Sequence, residues 1–145
     1  MKNMVVLVDA NVILDYVITR EPYYQDAYKI IDMCYSGQVK GYLAFHSVSV
    51  IWYVLRKYMP DSERRLWLKK ILQVLQVTGT SHESVLKAVD MDDFIDFEDC
   101  LQDRCAESVN AQYIITNNVK DFKESVITAI TPSDFHRLNG NLVNG

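Results

Sequence analysis

The stretch Met4–Asn11, MVVLVDAN, decides the fold class. Four consecutive apolar residues, Val5–Val8, end abruptly at Asp9. A short, unbroken apolar run of this kind is typical of a parallel strand that is covered on both faces. The stretch therefore predicts a buried parallel strand that carries a carboxylate at its carboxyl end.

Strand and helix patterns alternate along the rest of the chain. Further strands are predicted at 40–45, 74–78, 113–116 and 126–130, and helices at 11–18, 23–35, 47–58, 60–73, 96–110, just after 80–83 and just after 131. This alternation predicts an α/β fold, a three-layer α/β/α sandwich around a mainly parallel sheet. The length of 145 residues favours one domain, 1–138, followed by a frayed tail, 139–145.

The composition excludes some classes of protein. The hydrophobic fraction of 49% and the charged fraction of 23% are those of a soluble globular protein. No apolar run reaches the ~20 residues that span a bilayer, and no signal peptide is recognisable. Cys34, Cys100 and Cys105 lack metal-ligand spacing, which predicts buried, reduced thiols in the cytoplasm. The net charge of −4 does not by itself favour binding to nucleic acid. Local basic patches, and not the net charge, determine such binding.

Three aspartates are predicted to meet at one edge of the sheet. Asp9 ends the first strand, and Asp121 follows the strand at 113–116. Asp99 lies in the first turn of the helix that leads into that strand. Because this helix begins near the strand's carboxyl end, Asp99 is expected at the same edge of the sheet. In open parallel sheets, ligands bind just beyond the carboxyl ends of the strands. This edge is therefore the predicted site.

Such a cluster favours a hard divalent cation. Two carboxylates ~5 Å apart repel by roughly 3 kcal/mol at an effective dielectric of 20. Without a nearby Lys or Arg, the cluster must raise its pKa values or bind a cation. Oxygen ligands with open water positions suit Mg²⁺ or Mn²⁺, which can activate water against a phosphodiester.

Each aspartate also has a structural interpretation. Asp9 or Asn11 could be a helix N-cap, Asp99 could favour the helix dipole, and Asp121 could cap a turn. The predicted position of all three on one edge favours the site.

Three motifs carry a family resemblance: VDANVILD at 8–15, DFEDCLQ at 96–102 and YIITNNVKDF at 113–122. Their order and spacing resemble the PIN-domain family, especially its bacterial toxin-like members of virulence-associated-protein-C type. The resemblance extends from Met4 to about Leu138. It implies a cytoplasmic ribonuclease that depends on Mg²⁺ or Mn²⁺, and the toxin of a toxin–antitoxin pair.

The resemblance also implies roles for individual residues. Asp9, Asp99 and Asp121 match the acids of the family's metal site, and Asn117 and Thr116 match polar positions beside it. Asp15 matches a frequent position that is less clearly a ligand. The candidate catalytic residues are Asp9, Asp99, Asp121 and Asn117, and the candidate substrate contacts are Thr116, Asn11, Arg56 and Lys57.

One position departs from the family's pattern. The second predicted strand is usually followed by a pattern that resembles S-x-x-x-E-x-x-x-x-L-R-K, whereas residues 46–57 read HSVSVIWYVLRK and place Val50 at the acidic position. No acid lies between Asp32 and Asp61, so a shift of register supplies none. Glu98 is not expected to replace it, because neighbouring helix positions point about 100° apart.

Val50 makes a second function a serious alternative: a weakly active or inactive module that binds RNA or a protein partner. A haloacid-dehalogenase-like phosphatase is disfavoured, because Asp9-Ala10-Asn11 lacks the second acid of D-x-D. The toxin resemblance implies an RNA substrate and an antitoxin that covers the site. Apolar helix surfaces that include Trp52, Tyr53 and Trp67 are candidates for that partner or for a homodimer.

Overall fold

The computed structural model describes residues 4–94 and 96–144, with side chains described as far as Asn139. The strands are β1 (Met4–Val8), β2 (Val39–Ala44), β3 (Gln76–Thr78), β4 (Tyr113–Ile115) and β5 (Thr128–Ile130). The helices are α1 (Ala10–Val17), α2 (Tyr24–Tyr35), α3 (Phe45–Leu55), α4 (Asp61–Val74), α5 (His82–Asp90), α6 (Phe97–Ser108) and α7 (Pro132–Asn144). A 3₁₀ helix, Val119–Phe122, follows β4.

The described strands form one all-parallel sheet in the order β3-β2-β1-β4-β5. Side chains of β1 alternate between its faces: Val6 and Val8 join a core formed with α1 to α4 and Phe135 of α7. Leu7 faces the other way, into a core with α6. The strand is buried on both faces because helices cover both. The predicted three-layer α/β/α sandwich is confirmed.

The strand order reverses direction beside β1. The chain proceeds from β1 outward to β2 and β3, then returns to the other side of β1 to form β4 and β5. The carboxyl ends of β1 and β4 therefore border the crevice at which open α/β sheets bind ligands. Asp9 follows β1, and Thr116 follows β4, so both residues lie at this crevice.

The ends of several elements differ from the sequence-based predictions. α3 begins at Phe45, two residues before the predicted Ser47, because the chain turns directly from β2 into the helix. α7 extends to Asn144, further than the predicted short helix, and Gly145 lies outside the described residues. The domain boundary at 138 and the frayed tail remain predictions.

The three cysteines are buried, as the sequence predicts. Cys34, Cys100 and Cys105 are all buried and free of disulfides. Burial raises the pKa of Cys34 to about 12 and that of Cys105 to about 11, which makes both thiols unreactive near neutral pH. Within 4–94 and 96–144, no helix combines the length and the apolar character needed to cross a bilayer.

Gly41 in β2 is the tightest glycine position, and it yields a stability prediction. A Cβ at Gly41 would lie 2.6 Å from Cys34 Sγ and closer still to Leu75 Cδ2. Gly41→Ala should therefore lower the free energy of unfolding by about 1–3 kcal/mol, the usual cost of overpacking. Urea denaturation measures the loss. Gly79→Ala is the control, because no atom lies within 4 Å of a Cβ there; equal stability of the two variants would contradict the account.

Candidate functional site

Asp9 stands at the carboxyl end of β1, where its backbone continues the sheet. Its N–H donates to the carbonyl oxygen of Ile115 in β4, at 2.9 Å. Asp9 is also the N-cap residue of α1 by backbone position, but its side chain makes no capping hydrogen bond. The N-cap interpretation therefore describes the backbone of Asp9 and leaves its carboxylate free to face the crevice.

Neutral donors hold the Asp9 carboxylate. Oδ2 accepts from Thr116 Oγ1 at 2.8 Å and from Asn11 Nδ2 at 3.2 Å, and Oδ1 accepts from Gln102 Nε2 at 3.2 Å. Asp9 is only 8% exposed. Burial raises its pKa, while the Thr116 hydrogen bond partly offsets that rise. The carboxylate is thus fixed in orientation without a cation to neutralise it.

Asp99 lies in the first turn of α6 and is half-buried. The capping role at this helix end belongs to Asp96, whose Oδ1 accepts from the Glu98 N–H at 2.8 Å. The pKa of Asp99 is raised from 3.8 to about 7, chiefly by burial and then by the charges of Asp9, Asp96, Asp121 and Glu98. The helix-dipole interpretation does not account for an acid in so unfavourable an environment.

Asp121 lies in the 3₁₀ helix after β4, and its carboxylate is close enough to contribute to the raised pKa of Asp99. Glu98 is exposed, yet its charge raises the pKa values of both Asp9 and Asp99. The structure therefore brings the three predicted acids together, and Glu98 lies nearer to them than the sequence indicated.

The donor chemistry of this cluster fits a hydrated divalent cation. No salt bridge joins Asp9 or Asp99 to a Lys or Arg in the described part of the chain. No group of three or more described His, Cys, Asp or Glu side chains is arranged to hold a metal ion by itself. Mg²⁺ usually keeps several waters and needs only one or two protein carboxylates. The cluster thus matches a cation held partly through water.

Asn117 and Asp15 form a second layer of contacts at the same crevice. Asn117 Nδ2 donates to Asp15 Oδ2 at 2.6 Å, and the Asn117 N–H donates to Asn11 Oδ1 at 3.4 Å. Asp15 is 1% exposed and pairs with Arg20 at 3.4 Å. Burial raises the pKa of Asp15 despite these partners. Asn117 thus orients the neighbours of Asp9 and does not contact the Asp9 carboxylate itself.

Of the four candidate substrate contacts, two bond to Asp9 and two lie far from it along α3. Thr116 is 0% exposed and Asn11 bonds to Asp9, so both residues support the acid cluster. Arg56 and Lys57 follow the carboxyl end of α3, roughly 16 Å along the helix from the end that faces the crevice. The Arg56 guanidinium stacks on the Tyr53 ring, 3.8 Å from its centroid. The substrate roles of these four residues remain predictions.

Val50 lies three residues after Ser47 on α3, the helix residue that contacts Gln102. Ser47, one turn earlier, is fully buried, and its Oγ accepts from Gln102 Nε2 at 2.9 Å. Residues three apart on a helix share a face. Val50 is half-buried and packs against the main core. An acid at position 50 would therefore project toward the region that Gln102 and Asp9 occupy.

Gln102 is the site residue that the sequence did not reveal. It is 1% exposed, and its amide connects α6 to both α3 and β1. Its Oε1 is buried and has no hydrogen-bond donor among the described residues. A buried acceptor without a partner costs about 1–3 kcal/mol. The only signal was its place in DFEDCLQ, three residues after Asp99.

Asp103, beside Gln102, has a structural role that can be tested. It is 0% exposed and accepts the N–H groups of Val126 and Ile127, at 2.9 and 3.0 Å, which fixes the segment before β5. Asp103→Asn would direct an amide donor at one of these N–H groups, and the free energy of unfolding should fall by about 1–3 kcal/mol. Urea denaturation measures the fall, with exposed Asp32→Asn as the control. Unchanged stability would refute the role.

Comparisons with known proteins identify the family and the fold of the chain. A family model described as the PIN domain matches residues 5–120, so Asp121 lies one residue beyond the matched segment. No curated protein matches the chain.

Several solved structures share the fold. The structure of VapBC-1 from nontypeable Haemophilus influenzae aligns with a TM-score of 0.68 at 18% identity, covering 90% of this chain and 99% of that one. VapBC2 from Rickettsia felis, bound to a DNA fragment from the promoter, gives 0.65 at 16%, covering 88% and 98%. FitAcB from Neisseria gonorrhoeae gives 0.63 at 14%, also covering 88% and 98%. At these identities, the likeness concerns the fold.

Proposed function

The chain belongs to the PIN-domain family, and from this premise we propose that it is a divalent-metal-dependent ribonuclease, the toxin of a toxin–antitoxin pair. One observation carries the proposal: the charges of Asp9 and Asp121 act on Asp99 at the crevice between β1 and β4, and no described Lys or Arg forms a salt bridge with any of the three. Family membership supports nuclease chemistry, and the VapBC and FitAcB structures support a toxin-like relationship.

The chain's own residues have distinct tasks in this mechanism. Thr116 and Asn11 fix the orientation of Asp9 through hydrogen bonds to Oδ2. Asp99 and Asp121 face the same space and, together with Asp9, would hold Mg²⁺ or Mn²⁺ directly or through water. The bound ion would supply an activated water and stabilise charge on the phosphate of RNA. Asn117 holds Asp15 and Asn11 in place behind the acids.

RNA cleavage by the purified protein tests this proposal. Structured RNA is incubated with the wild type in Mn²⁺, in Mg²⁺ and in excess chelator, beside Asp9→Asn and the exposed control Asp32→Asn. We expect cleavage only with a divalent ion, retained in Asp32→Asn and reduced at least about 100-fold in Asp9→Asn. Cleavage that is equal in Asp9→Asn and the wild type would sink the assignment of the site.

The second candidate function is a non-catalytic module that binds RNA or a protein. Val50 favours this candidate because it stands where the family's pattern has an acid. Calorimetry distinguishes the two functions: no heat of Mg²⁺ or Mn²⁺ binding up to millimolar concentration would favour the module.

The proposed partners are an antitoxin and a second copy of the chain, in the cytoplasm. Tyr53 of α3 and Leu66 of α4 are each 60% exposed and supply apolar surface for such contacts. Trp52 is half-buried beneath Arg64, whose guanidinium carbon lies 4.0 Å from the centroid of the Trp52 ring. Trp67 packs edge-on against Tyr16, so core packing accounts for much of that side chain. An adjacent gene that encodes a small DNA-binding protein would support the pairing.

A further inference from the structure

Gln102 contacts the acid cluster through Asp9 but is not itself an acid. It lies one turn after Asp99 on α6, which places both side chains on the same face of the helix. Its Nε2 lies 3.2 Å from Asp9 Oδ1 and 2.9 Å from Ser47 Oγ. The two N–H bonds of the amide are thus both used, one for the acid at the end of β1 and one for α3.

The carbonyl oxygen of the same amide has no such partner. Oε1 is shielded from solvent, and no described residue donates to it. Exchanging the amide oxygen and nitrogen would not remedy this. The oxygen would then face the Asp9 carboxylate, and an N–H donor would occupy the position that lacks a partner. The described contacts therefore leave one buried acceptor unused on an amide that contacts Asp9.

A hydrated cation supplies the missing donor. Water bound to Mg²⁺ or Mn²⁺ donates hydrogen bonds, and carboxylate, carbonyl and water oxygens together form the environment that these ions prefer. The acids of the cluster attract such an ion, because no Lys or Arg forms a salt bridge with Asp9 or Asp99 in the described part of the chain. Oε1 lies on the amide that already contacts Asp9.

The position of Gln102 also relates to the departure at Val50. Ser47, which Gln102 contacts, lies one turn before Val50 on the same face of α3. A longer acidic side chain at position 50 would extend toward Gln102. The amide oxygen of Gln102 on α6 is thus available where Val50 of α3 provides no acid.

We propose that Gln102 is a positioning residue of the metal site. Its Nε2 orients Asp9, and its Oε1 accepts a hydrogen bond from a water on the bound divalent ion, in place of the acid that Val50 does not provide. This inference rests on the proposed metal-dependent function. It adds a residue, and a distinct role for each end of its amide, to that site.

Mn²⁺ titration by calorimetry tests the inference without relying on activity. Gln102→Met keeps the length of the side chain but removes both ends of the amide, and it should weaken Mn²⁺ binding about tenfold or more. Gln102→Glu keeps an oxygen for the water and should bind Mn²⁺ at least as tightly as the wild type. Gln73→Met, on the exposed side of α4, is the matched control and should equal the wild type.

The outcomes separate this inference from the proposed function. If the wild type takes up no Mn²⁺, the proposed function fails and the inference fails with it. If the wild type binds and Gln102→Met binds equally well, only the inference is overturned. If Gln102→Met does not fold, the Mn²⁺ affinity of Gln102→Glu alone decides the inference. Binding at wild-type strength or tighter supports the role of Oε1, and weaker binding overturns it.

Discussion

Replacing Asp99 by Asn should abolish metal-dependent RNA cleavage and stabilise the metal-free protein at the same time. The loss of activity, at least about 100-fold, follows if the carboxylate helps to hold the ion. The gain in stability follows because burial, and then the charges of Asp9, Asp96, Asp121 and Glu98, raise the pKa of Asp99 to about 7. Because the Asp99 carboxyl is costly to ionise in the folded state, replacing it should raise the free energy of unfolding.

The pH dependence of this gain has a definite sign. In the unfolded chain, Asp99 ionises at its ordinary pKa near 3.8, and in the folded protein at about 7. The free energy of unfolding is therefore highest, as far as Asp99 is concerned, below pH 3.8. It falls as the pH rises toward 7, because the unfolded chain releases this proton more readily than the folded protein does. Asp99→Asn should change stability little near pH 4 and raise it most at pH 8.

The size of the stabilisation follows from the same shift. For a fully buried carboxyl, the rise in pKa would correspond to about 4 kcal/mol. Asp99 is half-exposed, so solvent screening reduces the expected gain at pH 8 to about 1–2 kcal/mol. Thermal unfolding in chelator at pH 4 and pH 8 measures it, with Asp32→Asn as the control. A variant that loses stability at pH 8 would contradict the clustering of the acids.

Replacing Val50 by Glu should strengthen metal binding. Val50 lies one turn after Ser47 on α3, and Ser47 shares the Gln102 amide with Asp9. A fourth carboxylate adds charge to the cluster, and the number of charged ligands is a principal determinant of divalent-cation affinity. We expect Mn²⁺ to bind about tenfold more tightly, a gain of about 1.4 kcal/mol. The metal-free protein should be destabilised, because the new acid is half-buried beside like charges.

The control for this substitution is Val54→Glu. Val54 lies one turn further along α3, is also half-buried and packs against the same core. It should destabilise the protein without tightening Mn²⁺ binding. Equal affinities of Val50→Glu, Val54→Glu and the wild type would mean that position 50 does not face the metal site, and the importance given to Val50 would be wrong.

The sequence predicted the main features of the site because they depend on local patterns and one topological rule. The apolar run of β1 ends at Asp9, and parallel strands end at a common edge, so the meeting of Asp9 with the loop after β4 required no side-chain detail. The start of α7 was equally local: the helix predicted just after 131 begins at Pro132, where the Asp134 N–H donates to Thr131 Oγ1 at 3.1 Å.

Other features depend on contacts between distant parts of the chain, which periodicity does not reveal. Gln102 and Asp9 are 93 residues apart, and Gln102 and Ser47 are 55 apart. The spacing of Phe97, Leu101, Cys105 and Val109 predicts one apolar face for α6, and this prediction was partly wrong for the same reason. Phe97 is 49% exposed, while Gln102 and Asp103 are buried and form hydrogen bonds with other elements. Packing decided these positions, against the hydrophobic pattern.

The central claim, that the acids at the end of β1 and β4 form a divalent-metal site, is tested most directly by calorimetric titration of Mn²⁺ into the wild type at pH 8 beside Asp9→Asn. The account predicts saturable binding to the wild type that Asp9→Asn loses, with both proteins folded. Absence of binding to the wild type up to millimolar Mn²⁺, or binding of equal strength to Asp9→Asn, would contradict it.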